Sequence, residues 1–316
     1  MIDAVILRRQ VEAQGICSFE LAAADGTALP PFEPGAHIDV HLDGGLVRQY
    51  SLCPLPEFAG RYLIGVLREP GSRGGSVAMH ALQAGDGLRI GAPRNHFPLA
   101  AGARRSLLFA GCIGITPLLA MAEHLAVRGQ VFTLHYCVRS SAHMAFGDRI
   151  RDGAIGRNAR LHVDDGDAAQ KLDLDQALGQ PEPATHLYVC GPAGFMDWVL
   201  AGARALGWPE AQLHKEYFAA PASADAPEGA FELRLARSGR TLQVPVGMRV
   251  IDVLADAGID VPVSCEQGVC GTCLTRVIDG IPDHRDVFLT EEERSRNDCF
   301  TPCCSRALSP QLVVDL

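Results

Sequence analysis

SLLFAGCIGITPLLAMAEHLAVRG (residues 106–129) holds the chain's central fold signal. Residues 106–110 are a continuous apolar run, the pattern of a strand buried on both faces. A turn with two glycines follows, Gly111-Cys112-Ile113-Gly114-Ile115-Thr116-Pro117, and then a helix predicted over 117–128 and closed by Gly129. Proline suits a helix's first turn, and glycine suits the position just past its end. The stretch 107–122 is also the most apolar in the chain. Gly111, Gly114, Thr116 and Pro117 break it well short of the ~20 uninterrupted apolar residues of a membrane helix.

The same strand–turn–helix grammar continues downstream. Residues 131–138, 160–163 and 186–190 read as further strands, and a helix is expected after Phe195. Strands alternating with helices specify an α/β parallel-sheet domain, placed at 102–220. Upstream, residues 2–7, 17–22, 37–42, 46–52 and 62–67 are short runs rich in β-branched and large apolar side chains. They are separated by breaks such as Pro30-Pro31, Pro34-Gly35, Asp43-Gly44-Gly45 and Asp86-Gly87. That punctuation predicts an antiparallel β-barrel or sandwich over 1–101. After the α/β segment, AAPASADAPEG (219–229) has no apolar periodicity, and 221–229 reads as a linker. The last segment, 230–316, opens with a hairpin pattern, FELRLAR and RTLQVPV around Ser238-Gly239, then a helix at 250–257 and a cysteine-rich loop.

Composition limits the classes of function. With 316 residues, 47% hydrophobic and 21% charged, the chain is ordinary for a folded soluble protein of two or three domains. A formal net charge of -9 argues against nucleic acid as a partner, since phosphate contacts need clustered Lys and Arg. The acidity concentrates at the end: residues 228–316 carry 14 carboxylates against 9 arginines. The N-terminus has no apolar run of signal-peptide length, so a cytoplasmic protein with no membrane association is expected. Eleven cysteines in such a context argue against a disulfide framework, and six of them fall in the last 52 residues.

Cys265, Cys270 and Cys273 have the C-x4-C-x2-C spacing of a plant-type [2Fe–2S] loop, which needs one more distant cysteine. Cys299, Cys303 and Cys304 are the candidates. Gly268 and Gly271 sit where the backbone must turn around a cluster. Structural zinc normally shows two matched short pairs instead. Cys17, Cys53, Cys112 and Cys137 read as small buried residues. Two glycine turns follow apolar strands, 111–117 and Cys190-Gly191-Pro192-Ala193-Gly194. Neither is G-x-G-x-x-G, but paired turns at strand C-termini suit a pyrophosphate. In Arg48-Gln49-Tyr50-Ser51, strand alternation puts Arg48 and Tyr50 on one face, as a phosphate or ring partner and a stacking ring. Arg73-Gly74-Gly75-Ser76 precedes a short helix ending near Leu82, with Ser76 as expected N-cap and the glycine amides as a phosphate cradle. His37, His80 and His284 read as structural hydrogen-bonding groups.

The combination PGAHIDV (34–40), RQYSL (48–52), REPGSRGGSVAMH (68–80), PRNHFPL (93–99), GCIGITP (111–117), VCGPAGFM (189–196), HKEYFAA (214–220), CEQGVCGTC (265–273), PDHRDVFLT (282–290) and PCCSRA (302–307) resembles the phthalate dioxygenase reductase family. That family lies in the ferredoxin–NADP⁺ reductase superfamily, with a plant-type ferredoxin fused at the C-terminus. The resemblance runs the length of the chain and implies an antiparallel flavin barrel, an α/β nucleotide domain and an α+β, β-grasp ferredoxin domain. It implies FMN held by Arg48, Gln49, Tyr50 and Ser51, with the phosphate at Arg73, Gly74, Gly75 and Ser76 and with Val66, Leu67 and Arg68 alongside. Thr116 is placed at the flavin–nicotinamide junction and Phe218 near the ring. NADH is assigned to Gly111, Gly114, Thr116, Arg139, Asp165, Cys190, Gly191, Pro192 and Met196.

By the same resemblance Thr116, Cys190, Glu216 and Phe218 are candidates for roles near the reacting rings. The cluster ligands are Cys265, Cys270, Cys273 and Cys303, with Cys304 where the family has an apolar residue and Cys112 where it commonly has glycine. Asp164 or Asp165 near an adenosine ribose would repel a 2′-phosphate and favour NADH, whereas Arg139 and Ser140 point the other way. The implied partner is a Rieske-type terminal oxygenase that hydroxylates or demethylates an aromatic compound. The relay converts electron number: NADH yields a two-electron hydride, a cluster takes one electron at a time, and a flavin does both. Two other readings stay open on the residues alone: an FAD-containing, ferredoxin-fused reductase of the phenylacetyl-CoA epoxidase type, and a non-enzymatic iron–sulfur redox sensor.

Overall fold

The computed structural model describes residues 1–55, 60–69, 71, 74–220 and 229–316. The chain divides into two compact units, Met1–Glu216 and Tyr217–Leu316.

The first unit begins with a closed barrel. β1 (Ile2–Ala13) and β2 (Ile16–Ala23) form a hairpin, followed by β3 (Ala36–His41), β4 (Val47–Cys53), β5 (Tyr62–Leu67), the short helix α1 (Gly75–Ala81) and β6 (Gly87–Ile90). The antiparallel order is β4-β5-β2-β1-β6-β3, and β3 also pairs with β4, which closes the ring. β7 (Arg94–Asn95) adds a short pairing to β3. Period-2 alternation sends Ile6, Phe19, Leu21, Ile38, Val40, Leu52, Ile64 and Ile90 inward, each fully buried. The open choice between barrel and sandwich is thereby settled by one strand pairing.

The rest of the unit is β8 (Arg105–Gly111), α2 (Ile115–Val127), β9 (Val131–Val138), α3 (Gly147–Asp152), β10 (Ala159–Val163), α4 (Leu174–Leu178), β11 (Thr185–Cys190), α5 (Ala193–Ala205) and β12 (Leu213–Glu216). The five strands are parallel in the order β10-β9-β8-β11-β12. Strand order reverses between β8 and β11, the switch point at which open α/β sheets take ligands. Barrel and sheet share a core in which Ile16, Cys53, Leu63 and Phe97 pack with Leu108, Leu118, Leu119 and Tyr188. Helix α2 is covered along its length, since 115–122 are all buried. This is why it reads as uniformly apolar in sequence.

Three sequence expectations are corrected. α2 starts at Ile115 rather than Pro117, which is its third residue and still lies in the first turn. α1 is capped by Gly74 in a left-handed conformation (φ 84°) rather than by Ser76. The Ser76 hydroxyl instead accepts from the Glu69 amide at 3.0 Å, tying the helix to the preceding loop. Cys112 and Cys137 are only partly buried, unlike Cys17 and Cys53.

The second unit comprises β13 (Phe231–Leu235), β14 (Thr241–Val244), α6 (Val250–Asp256), β15 (Thr275–Asp279), β16 (Pro282–Asp283), α7 (Glu291–Arg296), β17 (Cys299–Phe300), β18 (Arg306–Ala307) and β19 (Gln311–Val314). Its sheet runs β14-β13-β19-β15-β17, with β13 and β19 parallel and the other pairs antiparallel; β16 and β18 form a separate ribbon. Val250, Val253 and Leu254 of α6 pack on Phe231, Leu233, Leu312 and Val314, giving the β-grasp arrangement of one helix across a mixed sheet. Of the expected linker, 221–228 lie outside the described residues. Among the described residues no helix is long and apolar enough to cross a membrane.

Candidate flavin, nucleotide and cluster sites

β4 presents two faces. On one, Arg48 is buried and donates from Nη1 to the Val47 carbonyl at 2.7 Å. Its side chain crosses the start of α1 so closely that a Cβ on Gly75 would lie 2.5 Å from Arg48 Cγ and Nε. Tyr50 shares this face, its phenol pushed up by burial and held back by Arg48. His80 Nε2 lies 2.9 Å from the Val66 carbonyl, fixing α1 to β5. Arg48, Tyr50, Val66, Gly74, Gly75 and Ser76 therefore occupy one connected neighbourhood, whereas Arg73 lies outside the described residues. Gln49 points the other way: its amide donates to Asp39 Oδ1 at 3.0 Å and lies 3.3 Å from His37 Nε2.

Ser51, on that second face, reaches across 165 positions of sequence to donate to Glu216 Oε2 at 3.5 Å. Glu216 pairs in register with Cys190 on β11. Burial pushes the Glu216 carboxyl up to about 8, partly offset by Ser51. Burial, followed by Glu216, pushes the Cys190 thiol well above its ordinary range. Thr116 is buried, donates to the Ile113 carbonyl at 3.0 Å and accepts Cys53 Sγ at its own carbonyl at 3.6 Å. Its methyl would lie 2.8 Å from a Cβ on Gly65 of β5, so barrel and sheet meet at this residue. Gly65, the glycine that allows this approach, is absent from the sequence reading. Its only signal was a glycine inside an apolar strand.

The two glycine turns pack directly on each other at the switch point. A Cβ on Gly114 would lie 2.2 Å from the Cys190 carbonyl oxygen and 2.6 Å from the Gly191 nitrogen; one on Gly191 would lie 2.9 Å from Gly111 Cα. Cys112 holds φ 49°, a left-handed backbone that costs an L-residue ~1 kcal/mol and that glycine adopts freely. Pro192 caps α5, and Met196 is fully buried behind it. Asp164 and Asp165 are exposed beyond β10, and the Asp165 amide donates to the Arg139 carbonyl at 3.1 Å. The acid and the exposed arginine thus stand side by side at the sheet's C-terminal edge. Phe218 belongs to the second unit and is 37% exposed.

In that unit the cysteine loop bends through left-handed residues Glu266 (φ 51°), Gly268 (φ 71°) and Gly271 (φ 67°). Both glycines are also required by packing. A Cβ on Gly268 would meet Cys304 Sγ at 2.6 Å, and one on Gly271 would meet the Phe288 ring at 2.3 Å. Cys270 acts on the Cys265 thiol, and both Cys273 and Cys304 act on the Cys303 thiol, so the thiols lie near one another. Cys265 is pushed up by the hydrogen bond to Cys270, and Cys270 is correspondingly lowered to about 5. Among the described residues no three His, Cys, Asp or Glu side chains surround one metal position. Four neighbouring thiols on a loop and a distant turn suit a binuclear cluster, which takes two thiolates at each iron. Amides face the sulfurs, with Gln267 N–H donating to Cys265 at 3.3 Å and Thr272 N–H to Cys270 at 3.5 Å, the donor shell a [2Fe–2S] group requires.

The turn carrying Cys303 is held by the Ile251 amide, which donates to the Pro302 carbonyl at 3.0 Å. Cys299 lies on β17, paired with Arg276 of β15, with Asp298 and Glu293 as neighbours. The segment 282–290 supplies a support the sequence only quoted: the buried Asp286 carboxylate accepts from the Phe288 and Leu289 amides at 3.1 and 2.7 Å and seats Phe288 on Gly271. His284 Nδ1 is 3.8 Å from Asp286 Oδ1.

A flavin-type barrel, a nucleotide-binding sheet and a four-thiol β-grasp unit in one chain define a flavin and iron–sulfur oxidoreductase. A family model described as a 2Fe-2S iron-sulfur cluster binding domain matches residues 233–308. Vanillate O-demethylase oxidoreductases of Pseudomonas sp. (strain HR199 / DSM 7063) and Pseudomonas putida are 54% and 56% identical, each aligned over all of both chains. A solved phthalate dioxygenase reductase, described as a modular structure for electron transfer from pyridine nucleotides to [2Fe-2S], superposes with a TM-score of 0.80. It is 37% identical, over 100% of this chain and 98% of that one. The chain belongs to the phthalate dioxygenase reductase family.

Proposed function

We propose that this chain is the reductase component of a two-protein oxygenase system. Electrons pass from NADH through FMN to a [2Fe–2S] cluster and on to a Rieske-type terminal oxygenase that demethylates a vanillate-like methoxyaromatic acid. The observation that carries the reading is full-length identity above half to two vanillate O-demethylase oxidoreductases, joined to a chain that holds all three candidate sites. Bound FMN supplies the change from paired to single electrons.

The chain's own residues bind and orient. The amides of the 111–117 and 190–194 turns, at the ends of β8 and β11, receive the NADH pyrophosphate. Asp164 and Asp165 disfavour a 2′-phosphate. Thr116, Cys190, Ser51 and Glu216 frame the place where nicotinamide and flavin meet, with Glu216 protonated at neutral pH and so able to donate a hydrogen bond. Such a protein works in the cytoplasm, where NADH is regenerated.

The test uses purified chain. It should reduce cytochrome c with NADH, release FMN rather than FAD on denaturation, and liberate formaldehyde from vanillate only when an oxygenase component is added. Oxidation of vanillate by the chain alone would defeat the assignment.

A further inference from the structure

An arginine outside the sequence motifs ties the barrel to the parallel sheet. Arg149, in α3, forks onto Glu123 of α2, from Nε to Oε1 and from Nη2 to Oε2, each at 2.8 Å. The same Nη2 donates to the Pro54 carbonyl at 2.7 Å. The Arg149 and Glu123 side chains are 26% and 18% exposed, so water competes little for these charge-assisted bonds. Pro54 directly follows β4, the strand of Arg48, Tyr50 and Ser51. Its neighbour Cys53 donates to the Thr116 carbonyl at 3.6 Å. Glu123 comes seven residues after Thr116 in α2. Seven residues make two turns, so both stand on one face of the helix, ~10 Å apart along its axis. The end of β4 is therefore held to α2 at two points: Cys53 at Thr116, and Pro54 through Arg149 at Glu123. α3 has a second seat beside the first. Phe146, which caps it, is buried in left-handed backbone (φ 57°), and its ring would lie 3.3 Å from a Cβ on Gly65, the position the Thr116 methyl also approaches. An L-residue holds that conformation only where its surroundings impose it.

We infer that Arg149 is a positioning residue for electron entry: by joining Glu123 to the Pro54 carbonyl, it fixes the flavin-side strand against the helix that opens at the nucleotide turn. The inference rests on the assignment of FMN to the barrel and NADH to the sheet. In that reaction a hydride, two electrons with one proton, passes from NADH to FMN and leaves NAD⁺ and the anionic reduced flavin. Transfer requires the reacting atoms within about 3–3.5 Å, and a displacement of about 1 Å costs roughly a hundredfold in rate. One ring is held by the barrel and the other by the sheet, so their separation is set at the seam that Arg149 closes. NADH affinity has another source, the amides of the 111–117 and 190–194 turns.

The experiment is stopped-flow reduction of the purified full-length protein by NADH without air, with hydrogen exchange of residues 50–55 and 112–120 followed in parallel. Arg149→Met keeps the stem and removes the fork. It should lower the limiting rate of flavin bleaching roughly 10- to 100-fold and leave the NADH dissociation constant within about threefold. Exchange should quicken in both segments. Arg149→Lys, with a single nitrogen in place of the fork, should fall between that variant and wild type, and Glu123→Gln should slow bleaching as well. Arg151→Met, whose partners Asp148 and Met144 lie in its own segment, should leave rate and exchange unchanged. An unaltered limiting rate in Arg149→Met overturns the inference. So does a rate loss matched by an equal rise in the dissociation constant, which would make Arg149 a nucleotide-binding group. If Arg149→Met does not fold, Arg149→Lys and Glu123→Gln carry the measurement, and unaltered rates in both are decisive against it. Wild-type protein without FMN ends the cofactor assignment and the inference with it, whereas a wild-type flavin that NADH bleaches no faster than in Arg149→Met ends the inference alone.

Discussion

Gly114→Ala and Gly194→Ala make the same chemical change within the two glycine turns, and the structure gives them opposite consequences. The Gly114 methyl would lie 2.2 Å from the Cys190 carbonyl oxygen, 2.4 Å from its carbon and 2.6 Å from the Gly191 nitrogen. All three are main-chain atoms at the end of a central strand, so relief requires moving one turn away from the other by roughly 1 Å. Overpacking of a close-packed interior costs about 1–3 kcal/mol, and rigid backbone neighbours put this case near 3. In a unit of this size that is a fall of about 6–12 °C in Tm. Gly194 lies in the first turn of α5 with nothing within 4 Å of the added methyl. There the change should be neutral or stabilising by up to about 1 kcal/mol through helix propensity. Thermal unfolding followed by circular dichroism, with NADH titration of the folded variants, measures both effects. A Gly114→Ala protein as stable as wild type would refute the backbone-to-backbone packing argued for the switch point. Raised KM for NADH in Gly194→Ala without loss of stability would mark that position as one where nucleotide, not protein, needs the bare backbone.

Glu216→Gln should change how stability depends on pH. A carboxyl raised from its ordinary 4.5 to about 8 contributes stability that is complete below 4.5 and is lost as pH rises to 8. Wild type should therefore lose ground to the Gln variant by up to ~1.4 kcal/mol per pH unit over that window, with a total of about 2–3 kcal/mol after screening by solvent. Matched unfolding at pH 5 and pH 9 reads it, and parallel pH profiles would contradict the buried position. Asp165→Asn, or the double change with Asp164→Asn, should shift kcat/KM toward NADPH by about tenfold through removal of like-charge repulsion; no gain in steady-state assays would place the ribose elsewhere. Gly271→Ala, strained at φ 67° and driven against Phe288, should speed loss of the visible cluster absorbance on warming, while Gly258→Ala, with open space around it, isolates the cost of left-handed backbone alone.

Where burial on both faces fixes the pattern, local sequence was enough. Tyr62–Leu67 and Val131–Val138 span the predicted residues because every boundary is marked by a polar or turn residue. β12 escaped notice because Leu213–Glu216 is a four-residue edge strand reading LHKE, with neither alternation nor β-branched residues. The same physics hid the site's most informative contact. Ser51 and Glu216 were each visible as candidates, but their meeting depends on closure of β3 onto β4 and on β12 pairing with β11, two long-range events that no local pattern encodes. Cys303 was distinguished from Cys299 only by resemblance; in the fold Cys303 packs with Cys273 and Ile251, whereas Cys299 lies on β17.

The glycines show why a motif underdetermines its own meaning. In sequence, Gly111, Gly114 and Gly191 read as room for a pyrophosphate, and Gly268 and Gly271 as room for a cluster. In the fold, each already has a protein neighbour where its Cβ would be: Phe195 of α5 and Pro192 for Gly111, the facing turn for Gly114 and Gly191, Cys304 and Phe288 for the last two. The absence of a side chain therefore lets these segments pack against one another before any ligand arrives. A loss of cofactor affinity on substituting one of these glycines has two possible origins, and only a stability measurement on the same protein tells them apart. It follows that preorganisation here resides in the contact between the β8 and β11 turns rather than in either turn alone. A change in one should be relieved by a compensating change in the other, and only weakly by changes elsewhere in the sheet.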